Sequence, residues 1–495
     1  MSSTKLTQAQ LESYLWGAAT LLRGLIDAGD YKGYIFPLLF FKRISDVYDE
    51  EYESAYQESG GDGQFAAFRE NHRFIVPDGA HWNDVRSTSS NLGQAIQNAM
   101  REIERANPDL LNGIFGDAQW TNKERLSDAT LRDLIEHFSK HALTVANVPE
   151  DELGIAYEFL IKKFADDSGH TAAEFYTNRT VVRLMTDMLQ PQENESIYDP
   201  TCGSGGMLLS AAVWLRENGK EYRNLKLFGQ ERNLLTSAIA KMNLFLHGFE
   251  DFQIARGDTL ADPKFIENDR LRQFDMILAN PPYSIKQWDR TAFSSDRFGR
   301  NMYGVPPQGR ADYAFWQHII ASLKPGTGRC AILFPHGVLF RDEERQMREN
   351  LVKADVLEAV IGLGPNLFYN SPMEACVVVC RTKKPADRKG KVLFINAVNH
   401  VTRERAQSFL TPDHISTIAD AYRSFEPQEG FTAVGDLAAI AANDFSLNIP
   451  LYVRPKPTQS GASDLGAAVQ AWNKSRIDLR AKLEAAFPEL SQSAK

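Results

Sequence analysis

From residue 190 onward the chain alternates between two textures. Short apolar runs at Ser196–Asp199, Leu225–Gly229, Phe274–Ala279, Cys330–Pro335, Val356–Leu363, Ala375–Cys380 and Val392–Ile395 are separated by stretches of helical periodicity. Strands divided by helices return to one sheet running parallel, so the alternation predicts βαβ units and an α/β, Rossmann-like fold. In such a sheet each βα turn lies at the carboxyl end of a strand, where open α/β sheets hold their ligands. Chemistry is therefore expected just after the strands.

Before residue 190 the pattern differs. From Thr7 to about Tyr56 the apolar residues Leu11, Leu15, Ala18, Leu22 and Leu25, then Phe36, Leu39, Phe40, Ile44 and Val47, recur at helical spacing with a break at Gly29–Gly33. Helices are also predicted near Leu92–Arg105 and Leu131–Lys140. Three regions follow: a helical domain over 1–145, the α/β domain over 146–425, and an extension over 426–495. The extension reads as loop, with Pro450, Pro455 and Pro457 stiffening it before a final helix from about Asp464 to Phe487.

Composition removes several classes of function. With 64 acidic against 55 basic residues the net charge is −9, the wrong sign for holding nucleic acid by bulk electrostatics alone. Any contact with DNA must be local or shared with a partner. Four cysteines (Cys202, Cys330, Cys376, Cys380) make no disulfide framework, and no zinc-ligand spacing occurs, so no metal is expected. Neither a signal peptide nor a membrane span is read from the sequence, which places the chain in the cytoplasm.

The residues that carry chemistry stand at the strand ends. Asp199-Pro-Thr-Cys-Gly203-Ser-Gly205-Gly206 follows a short strand and opens an apolar helix, a turn that brings backbone close to a nucleotide-like ligand. No Gly-Lys-Ser ending follows, so a nucleoside without a polyphosphate fits it better. Glu231 ends the next strand, where a carboxylate suits ribose hydroxyls, and Asp258 ends the one after, where it could accept from an adenine amine. Taken singly, each is better read as a helix cap or solvated turn residue; in register after the glycine turn, the ligand reading prevails. After the buried run Phe274–Ala279 comes Asn280-Pro281-Pro282-Tyr283. Two prolines fix its backbone and leave carbonyl and amide acceptors facing the crevice beside an aromatic face. Such acceptors concentrate the lone pair of an exocyclic amine toward an incoming methyl group, while Tyr283 stacks on a base taken out of the duplex.

These motifs, in this order, resemble those of S-adenosylmethionine-dependent adenine-N6 DNA methyltransferases. Phe175-Tyr-Thr-Asn-Arg-Thr, Ala311-Asp-Tyr-Ala-Phe-Trp-Gln-His, Leu323-Lys-Pro, Pro335-His-Gly-Val-Leu-Phe-Arg and Asn366-Leu-Phe-Tyr-Asn are similar to the modification subunit of type I restriction-modification systems, over nearly the whole chain. The resemblance implies that Tyr176 and Thr177 bind the methionine end of S-adenosylmethionine and that Asp199, Thr201, Gly203, Ser204 and Gly205 form the cofactor loop. By the same resemblance Glu231 holds the ribose, Asp258 reads the cofactor adenine, and Asn280, Pro281, Pro282 and Tyr283 act on the target adenine, with Asn280 also at the cofactor. It further implies DNA as substrate, a separate specificity subunit, a restriction subunit, and more than one copy of this chain per assembly. Asn178 stands where the family often has Pro, and is expected to cap the helix Thr180–Leu189; the Met373-Glu374 turn is also more acidic than usual.

Other residues read as scaffold. His318 and His336 lie near no nucleophile turn, so packing or capping is expected of them. Cys376 and Cys380 share one face of a strand and are assigned to the core. The loop Ser284–Arg310, with Lys286, Arg290, Arg297, Arg300 and Arg310 among Trp288, Phe293, Phe298 and Tyr303, suits phosphate contact and closure over the base. Two other activities use similar motifs: methylation of a protein glutamine amide, which would not need the long basic loop or the helical domain, and a non-catalytic cofactor-binding scaffold, against which Asn280 and Tyr283 speak.

Overall fold

The structure is a computed structural model that describes residues 5–167, 177–249, 251–367, 374–404 and 407–454. Tyr176 and the helix expected over Asp464–Phe487 lie outside the described residues. Residues Met1–Val453 make one compact unit.

The N-terminal helices form as the periodicity predicts. Gln8–Thr20 starts at a capping box in which Thr7 and Gln10 exchange side-chain and backbone bonds, and Tyr31–Glu58 follows. Leu92–Ala106 buries Ile96, Ala99, Met100 and Ile103 on one face, and Asp128–Phe138 is capped by Ser127. Their core does not end at residue 145. It takes in Tyr157, Leu160 and Phe164 of the helix Glu150–Asp167, and Ile239, Met242 and Phe245 of the helix Leu234–Leu246. Phe36 packs on Tyr157 with ring centroids 4.6 Å apart, and Phe40 on Phe245 at 5.6 Å.

A nine-stranded sheet carries the rest. Its strands are β1 (Ser196–Asp199), β2 (Lys226–Glu231), β3 (Phe252–Arg256), β6 (Met276–Ala279), β7 (Arg329–Pro335), β8 (Leu357–Leu363), β9 (Ala375–Arg381), β10 (Lys391–Ala397) and β11 (Thr432–Asp436); a small hairpin, β4 (Ile266–Glu267) and β5 (Arg270–Leu271), lies between β3 and β6. The order across the sheet is β11-β10-β8-β9-β7-β6-β1-β2-β3. From β7 to β3 the neighbours are parallel, and the order reverses between β1 and β6, which is where such sheets open their crevice.

Two expectations need correction. The sheet is mixed rather than wholly parallel: β9 runs antiparallel to both β7 and β8. Only residues 364–374 separate β8 from β9, too few for the crossover that a parallel neighbour needs, so the strand that returns beside its predecessor runs the other way. The stretch after residue 425 is not merely loop, because β11 pairs antiparallel with β10 at the sheet edge. Both faces of the sheet are covered. Along β7, Ala331 and Leu333 enter one core while Cys330, Ile332 and Phe334 enter the other; Cys376 and Cys380 join the second as expected.

Candidate functional site

β1 delivers Asp199 to the turn that leads into the helix Gly206–Glu217. Asp199 is buried and its Oδ1 accepts from Thr201 N (2.9 Å). Gly203 and Gly205 take φ of 52° and 80°, left-handed values that only glycine adopts cheaply. Their turn is tied to the end of β2: Gly203 N donates to Glu231 Oε2 (3.1 Å), Cys202 N to Gln230 O (3.0 Å), and the other Glu231 oxygen accepts from Asn233 N (2.8 Å). Burial pushes the Asp199 carboxyl up to about 8, opposed by the Thr201 amide and reinforced by the charge of Glu231.

Three residues that the sequence reading missed support this turn. Arg179 bonds Glu158 (Nε to Oε2, 2.6 Å), and Asn243 Nδ2 spans Glu158 Oε1 (2.6 Å) and Ser204 O (2.9 Å). The third glycine of the motif has its reason here. A Cβ on Gly206 would lie 1.5 Å from Arg179 Nη1. Asp258 holds Leu260 N (3.0 Å) and Ala261 N (3.2 Å), with Arg232 Nη1 3.6 Å away, so it caps its turn while also lining the cleft.

On the other side, β6 ends at the tetrad. Asn280 Nδ2 donates to Thr177 Oγ1 (3.0 Å), and Tyr283 OH donates to Asn280 Oδ1 (2.8 Å). Burial holds the Tyr283 phenol well above its ordinary range, so this hydroxyl is a donor. Pro281 is buried and Pro282 exposed. Ser284 follows at φ 50°, and Asp312 accepts both its N–H (2.7 Å) and its hydroxyl (3.2 Å). Asn178 caps the helix Arg179–Leu189 as expected, and its Nδ2 also reaches Leu367 O (3.2 Å) and Ser408 O (2.8 Å).

The loop after the tetrad is ordered by two internal bonds, Trp288 Nε1 to Gln308 O (2.9 Å) and Arg290 Nε to Pro306 O (2.7 Å), and by Gln317 Oε1 of the following helix, which accepts from Tyr303 N (2.7 Å). Its basic residues do not form one phosphate-facing set. Lys286 and Arg297 are exposed, whereas Arg300 is 3% exposed and paired with Asp296. His318 is buried against Tyr198 and Arg300, a structural position as expected.

A cleft of about 880 Å³ joins the two sides. Thr201, Glu231, Asp258, Asn280, Pro281, Pro282 and Tyr283 all line it, as do Trp288 and Phe315. Asp199, Gly203, Ser204 and Gly205 are not in its lining but shape the turn that presents Thr201, and Thr177 braces Asn280 from the side. Asp117 and Leu235 also line it. Asp117 sits in a stretch with no motif, and nothing in the sequence marks it.

Comparison with known proteins places the chain in a family. Residues 148–460 match the N-6 DNA methylase family and residues 11–138 the HsdM N-terminal domain. The methylase subunit of the type I restriction enzyme MjaVIII from Methanocaldococcus jannaschii is 31% identical over 503 residues, spanning 97% of this chain and 84% of that protein. The HindI methylase subunit of Haemophilus influenzae is 31% identical over 412 residues, spanning 76% and 89%. The crystal structure of the type I restriction-modification methyltransferase subunit from Streptococcus thermophilus matches with a TM-score of 0.78 at 29% identity, covering 90% of this chain and all of that one. The glycine turn, the strand-end acids and the Asn-Pro-Pro-Tyr tetrad thus sit in a chain that belongs to the N-6 DNA methylase family, as a methylase subunit of the type I restriction enzyme kind.

Proposed function

We propose that the cleft between β1, β2, β3 and β6 is where this adenine-N6 DNA methyltransferase brings S-adenosylmethionine to a flipped adenine. The observation that carries the reading is the meeting of both sets of groups in the lining of one cavity, Glu231 and Asp258 together with Asn280 and Tyr283. The donor set fits the cofactor: carboxylates suit hydroxyls, an amine and a cationic centre, and no basic phosphate loop is present. When bound, S-adenosylmethionine supplies an electrophilic methyl group on its sulfonium.

The residues then divide the work. Glu231 accepts from the ribose and Asp258 from the cofactor adenine, while Tyr176, Thr177, Asp199, Thr201, Gly203, Ser204 and Gly205 hold the methionine end and the turn around it. Asn280 Oδ1 accepts from the target N6 amine as that nitrogen gains positive charge, a preorganised dipole that strengthens as the reaction proceeds. The Tyr283 hydroxyl now uses that acceptor. The target amine takes its place, and the freed ring stacks on the base. The Pro281 and Pro282 carbonyls keep their acceptors free of competing local amides. Target choice falls to a specificity subunit, since the chain is acidic; a restriction subunit and further copies of this chain complete the assembly, in the cytoplasm with the DNA.

The test is transfer of labelled methyl from S-adenosylmethionine to DNA by the chain reconstituted with its specificity subunit, followed by nucleoside analysis. N6-methyladenine is expected. Methylcytosine, or label in protein alone, overturns the reading.

A further inference from the structure

Arg300 occupies an unusual place for a basic residue in a loop beside a DNA-modifying site. Its guanidinium is buried and bonded on every side. Asp296 accepts from Nη2 (2.6 Å) and from Nε (3.1 Å), and also from the Arg300 backbone N–H (2.8 Å). Nη1 donates to Thr259 O (3.0 Å) and Nη2 to Leu260 O (2.8 Å). Thr259 and Leu260 directly follow Asp258, and Thr259 Oγ1 donates to Pro200 O, next to Asp199. A fourth neighbour is His318, whose Nδ1 lies 3.3 Å from Nη1. Arginine only donates, so Nδ1 carries the lone pair and Nε2–H faces Tyr198 OH (3.3 Å). Burial, with the charge of Arg300, keeps that imidazole neutral.

One side chain therefore links three segments: the loop after the tetrad, the turn after β3 and, through Thr259, the turn after β1. We infer that Arg300 is a positioning residue that couples occupancy of the cofactor turn to the order of the loop 284–310 over the target base. This rests on the assignment of Asp258 to the cofactor. A ligand that immobilises the 258–260 turn fixes the two carbonyls that Arg300 grips. The guanidinium then holds Asp296, and with it the loop. By linkage, a loop closed on DNA favours the bound cofactor by the same factor. Planar geometry makes arginine suited to this, because its fork can grip two carbonyls and a carboxylate at once.

The experiment is hydrogen exchange on the full-length chain, with and without S-adenosylhomocysteine, for the wild type, Arg300→Gln and Arg300→Lys. Arg300→Lys keeps a positive charge beside Asp296 but lacks the planar fork that grips both carbonyls, so it carries the test if Arg300→Gln does not fold. In the wild type the ligand should slow exchange at 199–206, at 258–261 and, by about tenfold, at 286–304. In the variants the slowing should persist at 199–206 and vanish at 286–304. Slowing at 286–304 that survives both substitutions, or is absent from the wild type while 199–206 and 258–261 respond, overturns the coupling and leaves the site assignment intact. No response at 199–206 or 258–261 in the wild type overturns the site assignment itself.

Discussion

On the cofactor side of the cleft, most groups are fixed by near neighbours or by the adjacent strand. Asp199 holds the amide of Thr201, Asp258 that of Leu260, and Glu231 closes on Gly203 across one strand pair. On the target side the supports come from far along the chain: Asn280 leans on Thr177, Ser284 on Asp312, Arg300 on Thr259 and Leu260. Strand register and short turns place the acids of the first side, with Asn243, Glu158 and Arg179 bracing the glycine turn behind them, whereas the tetrad of the second side depends on segments as distant as Thr177. Contacts of that kind open at lower cost than a core strand, and the target side is the one that must admit a base.

The sharpest way to break this contrast is Asn280→Ala. If the two sides are separable, kcat should fall by roughly 10²–10³ or more while cofactor affinity, read by calorimetry, stays near normal. Equal losses in both would show one indivisible site. Next in size is Gly206→Ala, which drives a Cβ into Arg179. Overpacking of this kind costs about 1–3 kcal/mol, and it should appear in the unfolding midpoint and in cofactor affinity together. Unchanged cofactor binding would mean that the turn is not rigidly supported.

A pH series tests the electrostatics of the cofactor side. The Asp199 carboxyl rises from 3.8 to about 8 in the folded chain, so between those values the folded state binds more protons than the unfolded one. Stability should fall as pH rises through that window and level off above it, by at most about 1.4 kcal/mol per pH unit from this one group. In Asp199→Asn, denaturant titrations from pH 5 to 8 should lose this slope; an unaltered slope assigns it elsewhere. The smallest effect is expected of Lys286→Ala and Arg297→Ala, two exposed cations of the target loop. Each should weaken DNA binding by the assembled enzyme uniformly across sequences and reduce the salt slope by about one. A change in sequence preference would mean that the loop reads bases.

The contrast also explains what the sequence discloses. Asp199 to Gly206 and Asn280 to Tyr283 are legible because their chemistry is contiguous and follows buried strands. The direction of β9 is not, since Ala375–Arg381 is an apolar run of the sort that serves a parallel or an antiparallel neighbour equally well. β11, short, half-exposed and interrupted by Gly435, has little pattern to read. Arg300 reads as one more loop cation. Its Asp296 partner is visible four residues before it, but the Thr259 and Leu260 carbonyls that bury it have no side-chain signature.

The helix Leu234–Leu246 begins three residues after Glu231, and it belongs to two cores. Ile239, Met242 and Phe245 pack with the N-terminal helices, while Ala240 and Leu244 pack beneath the sheet. Recombination between relatives would therefore not exchange the first 145 residues as a self-contained cassette. A hybrid joined there would meet a foreign wall at Phe40 and Phe245, and the misfit would reach the carboxylate assigned to the ribose. Variation in the N-terminal region should be inherited in step with variation along this one helix.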